Sequence, residues 1–179
     1  MKRASETRPS RAAIVVEPIT KESAPEDRAA VEELARACFP ESSFSTDEEL
    51  SRPWARLWAA RAAAGAPLVG FLISWHVADE LHVLNVATLP LLRRCGIGRA
   101  LMDEGIRYSS SQKIRIVLLE VRRSNRAAIK LYRGLAFTAL GVRPGYYADN
   151  GEDAIEMILA LDPESGKVLP GRDEIRIDG

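Results

Sequence analysis

The chain has 179 residues, with 25 Lys plus Arg balancing 25 Asp plus Glu, and 46% of its residues are hydrophobic. That length fits one domain able to bury a core, and the composition excludes a disordered chain. No apolar run is long enough to span a bilayer, and the balanced charge lacks the basic excess that binds nucleic acid through counterion release, so neither a membrane nor nucleic acid is an expected partner. Cys38 and Cys95 are the only cysteines, too few for a disulfide framework, so a reducing, cytoplasmic location is expected. Residues 1–11 are basic but lack an apolar stretch after them and read as a flexible tail rather than a signal peptide. Residues 162–179 mix Pro, Gly and charge and read as a second flexible tail, leaving 12–161 as the folded domain.

In chain order, β-branched residues at 14–17 predict a strand. Ser23 and Glu26 have capping-box spacing, and Val31, Leu34, Ala35 and Cys38 recur on one helical face until Pro40. Thr46 and Glu49 repeat the pattern and predict a short helix over 47–52, stopped by Pro53. Residues 55–62 and 68–77 flank a turn at Gly65-Ala66-Pro67 and read as a hairpin; a turn at Asp79-Glu80 leads into a strand over 81–87. A glycine-bearing loop and a helix follow, then an almost wholly apolar strand over 114–121, a helix over 125–135, a strand over 138–142 and a last strand over 154–161 after Asn150-Gly151. This is a mixed α/β pattern with an antiparallel start and a βαβ centre.

The loop Arg93-Arg94-Cys95-Gly96-Ile97-Gly98 enters a helix. Free N–H groups and positive potential at a helix start hold phosphate, glycines let the backbone approach it, and Arg93, Arg94 and Arg99 can pair with its oxygens. A short pattern of this kind equally describes a glycine-relieved turn with arginines in solvent. A Walker loop is excluded because no Gly-Lys-Ser/Thr follows, and the glycine spacing does not fit a dinucleotide fingerprint. His76 and His82 flank a turn, but two histidines without a third ligand do not argue for a metal.

With its flanks, the loop resembles the acetyl-CoA loop Q/R-x-x-G-x-G/A of the GNAT acetyltransferases. The stretch from Leu84-Asn85-Val86-Ala87 through Leu119-Glu120-Val121-Arg122, Ser124-Asn125, Leu131-Tyr132, Gly145-Tyr146-Tyr147 and Glu152-Asp153-Ala154 is similar to RimI-type N-terminal protein acetyltransferases. The resemblance implies the GNAT acyl-CoA N-acyltransferase fold, α/β with a mixed, mostly antiparallel central sheet flanked by helices, and a metal-free enzyme using acetyl-CoA as acetyl donor. It implies that Val86, Ala87 and Thr88 bind the pantetheine arm, that Arg93, Arg94, Cys95, Gly96, Ile97, Gly98 and Arg99 hold the pyrophosphate, and that Asn125 also contacts the cofactor. As a helix N-cap, Asn125 has an equally good structural role.

Acetyl transfer to an amine needs a base, backbone donors for the oxyanion and an acid for the departing thiolate. Glu120 is the candidate base, on the strand face shared with Ile114, Ile116 and Leu118; pairing with an arginine such as Arg122 is its structural alternative. Tyr132 is the candidate acid, or else a ring anchoring a helix to the core. An α-amino group, with pKa ~8 against ~10.4 for lysine, suits a carboxylate base. The resemblance implies a protein or peptide N-terminus as acceptor, with the N-terminal alanine of a ribosomal protein as one candidate, flanked by Phe39, Tyr146 and Tyr147. Acetylation of lysine or a small-molecule amine, and a non-catalytic acyl-CoA-binding module, are the alternatives. Glu41 departs from the aromatic usual there, and Ala136 replaces the glycine of Leu-Gly-Phe, which implies strain if that residue is left-handed.

Overall fold

The structure, a computed structural model, describes residues 13–40 and 44–177; the expected tail at 1–11 and Glu41 lie outside them. Its elements are β1 (Val15–Ile19), α1 (Pro25–Cys38), α2 (Thr46–Ser51), β2 (Ala55–Arg61), β3 (Leu68–Val77), β4 (Glu80–Thr88), α3 (Ile97–Ser111), β5 (Ile116–Arg122), α4 (Arg126–Arg133), β6 (Thr138–Tyr147) and β7 (Glu152–Ala160). The seven strands follow the hydrogen-bonded order β1-β2-β3-β4-β5-β7-β6. β1 and β2 are antiparallel, β4 and β5 parallel across the α3 crossover, and β7 antiparallel to both β5 and β6. Among the described residues no helix is long and apolar enough to cross a membrane.

Two compact units divide the chain. The first comprises Met1–Leu72 and Val86–Met102. Its core is built from Val31 and Leu34 of α1, Leu57 and Ala59 of β2, Phe71 of β3, and Ile97 and Leu101 of α3, all buried. The expected capping box at Ser23 does not form: α1 starts at Pro25 with Ala24 as N-cap, and the Ser23 hydroxyl instead accepts the Thr20 N–H at 3.0 Å. Pro25 is already preset for the first helical position, so the helix starts there, and the N-cap Ala24 has no side-chain oxygen to cap it. The second cap falls one residue earlier than expected, on Ser45, whose side chain accepts the Glu48 N–H. Thr46 is used elsewhere: its N–H donates to Glu32 Oε1 at 2.8 Å and its hydroxyl to the Arg28 carbonyl at 3.1 Å.

The second unit comprises Ile73–Asn85 and Asp103–Gly179. Along β5 the alternation places Val117, Leu119 and Val121 on a buried face, opposite the buried Leu159, Met157 and Ile155 of β7. The other face carries Leu118, Glu120 and Arg122 opposite Ile158, Glu156 and Ala154. After α4 the chain turns at Ala136, whose φ is +70°, with the Ala136 N–H donating to Arg133 and the Phe137 N–H to Tyr132, both at 3.0 Å. Left-handed backbone costs an L-residue roughly 1–2 kcal/mol, so Ala136→Gly is expected to stabilise the protein by ~1 kcal/mol and raise Tm by ~2–4 °C. Thermal unfolding followed by circular dichroism checks this; an unchanged or lower Tm would count against the strain.

Residues after Leu161, expected to form a loose tail, are held at several points in this unit. The Leu169 N–H donates to the Ala160 carbonyl, the Glu174 N–H to the Ala139 carbonyl, and Asp173 accepts from the Ala139 N–H and from Arg133. These ties are backbone hydrogen bonds and one ion pair, which leave no apolar periodicity in the sequence to read.

Candidate active site

The first unit contains the glycine loop. Beyond Thr88 the chain makes a short 3-10 turn at Pro90–Leu92, then passes through Arg94 at φ +66° and Gly96 at φ +89° before α3 begins at Ile97. A side chain at Gly96 would be strained, whereas Gly98 lies within the first turn of α3 and has an ordinary φ. The Ala100 N–H makes the first helical bond, to the Gly96 carbonyl at 2.9 Å, so the N–H groups of Ile97, Gly98 and Arg99 form the donor-rich start of a long helix. Arg93 and Arg94 are exposed, and Cys95 is half-buried with its thiol directed at the Arg93 carbonyl, 3.7 Å away. These residues fit a diphosphate: exposed guanidinium groups stand beside a helix N-terminus whose entry backbone is left-handed.

The strand that leads into the loop is placed by a residue that no local motif marks. A Cβ on Gly70 of β3 would stand 2.7 Å from the Ala87 carbonyl oxygen and 2.9 Å from Ile97 Cγ2. Its lack of a side chain thus lets β4 and the first residue of α3 pack tightly at that point. Ala87 is buried, Val86 and Thr88 are half-buried, and the Thr88 carbonyl lies 3.8 Å from the Cys38 thiol, whose pKa is pushed up by burial. Phe39, expected to face an acceptor, caps α1 and sets its ring edge-on to the buried Phe71 at 6.4 Å, a packing role that leaves it half-exposed.

The second unit contains Glu120, Asn125, Tyr132, Tyr146 and Tyr147. Glu120, its side chain 30% exposed, pairs through Oε1 with Arg143 Nη1 at 2.7 Å. Arg122, the partner suggested by nearness along the strand, is engaged elsewhere: it binds Asp149 at 2.8 Å and Glu152 at 3.3 Å, and its guanidinium lies over the Tyr147 ring at 3.8 Å. Tyr132 is only 7% exposed, its ring 5.8 Å from that of Phe137. Burial, then the neighbouring Tyr147, pushes its phenol up to about 12. The Tyr147 phenol is raised as well, first by burial, with Glu120 among the smaller causes. Electrostatically, Tyr147 is thus a neighbour of both Tyr132 and Glu120.

Glu152 is a second carboxylate that neighbours Tyr147. Hydrogen bonds from Ser124, including its N–H at 2.7 Å, hold its carboxyl down at about 2, which makes it a poor proton acceptor at neutral pH. Asn125 caps α4, its side-chain oxygen accepting the Ala128 N–H at 3.1 Å; its amide NH2 is the part left for other contacts. The two histidines have separate partners. His76 meets the Tyr108 hydroxyl at 2.9 Å and the Ala78 carbonyl at 3.1 Å, while His82 meets Glu80 at 2.7 Å. Among the described residues no group of three His, Cys, Asp or Glu could hold a metal ion.

A parallel β4-α3-β5 crossover with a glycine loop at its helix entrance, followed by an antiparallel β6/β7 pair, defines an acyl-CoA N-acyltransferase fold. The acetyltransferase (GNAT) family profile matches residues 28–137, and the chain belongs to that family. The [ribosomal protein bS18]-alanine N-acetyltransferase of Escherichia coli is 40% identical over 96 residues, 52% of this chain and 65% of that protein. The putative [ribosomal protein bS18]-alanine N-acetyltransferase of Bacillus subtilis is 34% identical over 94 residues, 52% of this chain and 62% of that protein. The match therefore spans less than two-thirds of the length of these relatives. The crystal structure of the Escherichia coli ribosomal-protein-S18-alanine N-acetyltransferase has a TM-score of 0.69 at 28% identity, covering 82% of this chain and 93% of that one.

Proposed function

We propose that this protein transfers the acetyl group of acetyl-CoA to the N-terminal α-amino group of a protein, by direct attack and without a metal. The observation that carries the reading is the presence, in one compact unit, of a water-accessible carboxylate, Glu120, and a buried phenol, Tyr132, that keeps its proton at neutral pH. Base and acid are the two groups that amide formation from an amine and a thioester requires.

Acetyl-CoA supplies the activated acetyl group. Arg93, Arg94, Cys95, Gly96, Ile97, Gly98 and Arg99 would hold its diphosphate, Val86, Ala87 and Thr88 its pantetheine arm through backbone groups, and Asn125 its nearby polar atoms. Glu120 takes a proton from the attacking amine, directly or through water, and Tyr132 donates its proton to the departing sulfur; the products are an N-acetyl amide and a free thiol. Tyr146, 44% exposed, and Tyr147 offer rings to a peptide acceptor, as tyrosines do at polar recognition surfaces, and the half-buried Phe39 would add a third. The similarity to enzymes named for the N-terminal alanine of ribosomal protein bS18 favours a ribosomal protein as acceptor. Two unbridged cysteines suit the reducing cytoplasm as the place of action.

The test is incubation of the protein with acetyl-CoA and separate panels of N-terminal peptides, lysine peptides and polyamines, read by mass spectrometry. Acetylation of α-amino groups, with peptides beginning in Ala preferred, is the expected result. Turnover confined to lysines or small amines would overturn the acceptor assignment, and tight acetyl-CoA binding without any turnover would leave a non-catalytic binding module.

A further inference from the structure

Glu120 and Glu156 stand directly opposite each other on β5 and β7, an arrangement of like charges that is unfavourable by itself. Arg143 answers both: Nη1 is 2.7 Å from Glu120 Oε1 and Nε is 3.9 Å from Glu156 Oε1. It does so from β6, across the intervening strand β7. Its guanidinium also lies 4.7 Å from the centre of the Tyr146 ring, so it is held by a charge on one side and an aromatic face on the other.

A break in register puts Arg143 there. β6 pairs with β7 as Ala139↔Met157 and then as Gly141↔Glu156, which leaves Leu140 as an extra residue without a partner. After that bulge, Gly141 and Arg143 lie opposite Glu156 and Ala154, on the face that carries Glu120. A continuous ladder would send Arg143 to the opposite face, because a one-residue slip inverts every side chain. Gly141 completes the arrangement: a Cβ there would stand 3.1 Å from Glu156 Oε2, so its absence leaves room for the second carboxylate.

We infer that Arg143 is the positioning residue of the Glu120 carboxylate, brought to it by the Leu140 bulge and steadied by Tyr146. The inference deepens the proposed acetyl transfer and rests on it. Arg143 engages Oε1 alone, which fixes the carboxylate's orientation and leaves Oε2 to accept the acceptor's proton. Positioning of this kind affects kcat rather than donor binding, since a displaced base costs up to about 100-fold in rate.

Arg143→Met is expected to lower kcat by roughly 10- to 100-fold with KM for acetyl-CoA nearly unchanged. Arg143→Lys should recover part of the rate, and millimolar guanidinium ion should partly restore Arg143→Ala. In a Glu120→Gln background, Arg143→Met should add little further loss, because residues acting as a unit are not additive. An unchanged kcat in Arg143→Met overturns the inference, as does an equal loss in both backgrounds. A rise in kcat also overturns it, since the guanidinium would then be competing with the acceptor for Glu120. If the wild-type protein turns over no amine, the proposed reaction fails separately, and denaturant unfolding of the two single variants and the double variant still reads the contact. Coupled unfolding constants support the pairing, and additive ones refute it.

Discussion

Glu120→Gln is expected to lower kcat for amine acetylation by roughly 10²- to 10⁴-fold, the range removed with a general base. Glutamine preserves the shape of the side chain and can still offer an oxygen to Arg143, which here stands 2.7 Å from the carboxylate. What it cannot do is accept a proton from the attacking amine. Because glutamine keeps the size and shape of the side chain, acetyl-CoA affinity measured by calorimetry should stay within about twofold. Glu152, which neighbours Tyr147, is a poor substitute, because Ser124 holds its carboxyl down at about 2 and it contacts Arg122. Equal turnover by wild type and variant would remove Glu120 from the reaction. Cofactor binding with no turnover by either would favour a binding module instead.

The parts of this arrangement that are legible in the sequence are those set by local rules. A glycine before a helix announces the loop, and Gly96 does adopt a left-handed φ of +89°. The strain at Ala136, implied by the resemblance through the glycine expected in Leu-Gly-Phe, is carried there at φ +70°. Alternation along an apolar strand separates Glu120 from Leu119 and Val121, and the structure keeps Glu120 on the less buried face. Arg143 is not legible, because its approach needs β7 inserted between β5 and β6 and a bulge at Leu140, neither of which has a signature within a few residues. Gly70 escapes for a related reason: what forbids a side chain there is the Ala87 carbonyl and the Ile97 methyl, far along the chain. Phe39 illustrates the converse. Its place in an acceptor groove comes from resemblance, whereas its ring packs on Phe71.

Tyr132→Phe is expected to reduce kcat by about 10²-fold, through loss of the proton donated to the departing sulfur, with little change in fold because the buried ring and its contact with Phe137 remain. The phenol's burial sharpens the pH dependence. Burial, and secondarily Tyr147, raises it to about 12, so it stays protonated throughout the working range and cannot cause a fall in rate between about pH 8 and 10. An alkaline limb in that range that disappears in Tyr132→Phe would contradict this assignment. Stability supplies an independent check. In the unfolded chain the phenol ionises near ~10, so between there and about 12 the folded state holds a proton that the unfolded state has lost. Stability is therefore fully present below pH ~10 and declines as pH rises through that window, by about 1 kcal/mol between pH 9 and pH 11 from this group alone. Tyr132→Phe lacks the titration, so its unfolding free energy should fall by about 1 kcal/mol less than that of the wild type over the same interval. Urea titrations of both proteins at pH 9 and pH 11 measure the difference. Parallel losses would mean that the Tyr132 phenol ionises in the folded protein as it does in water, and that burial does not raise it.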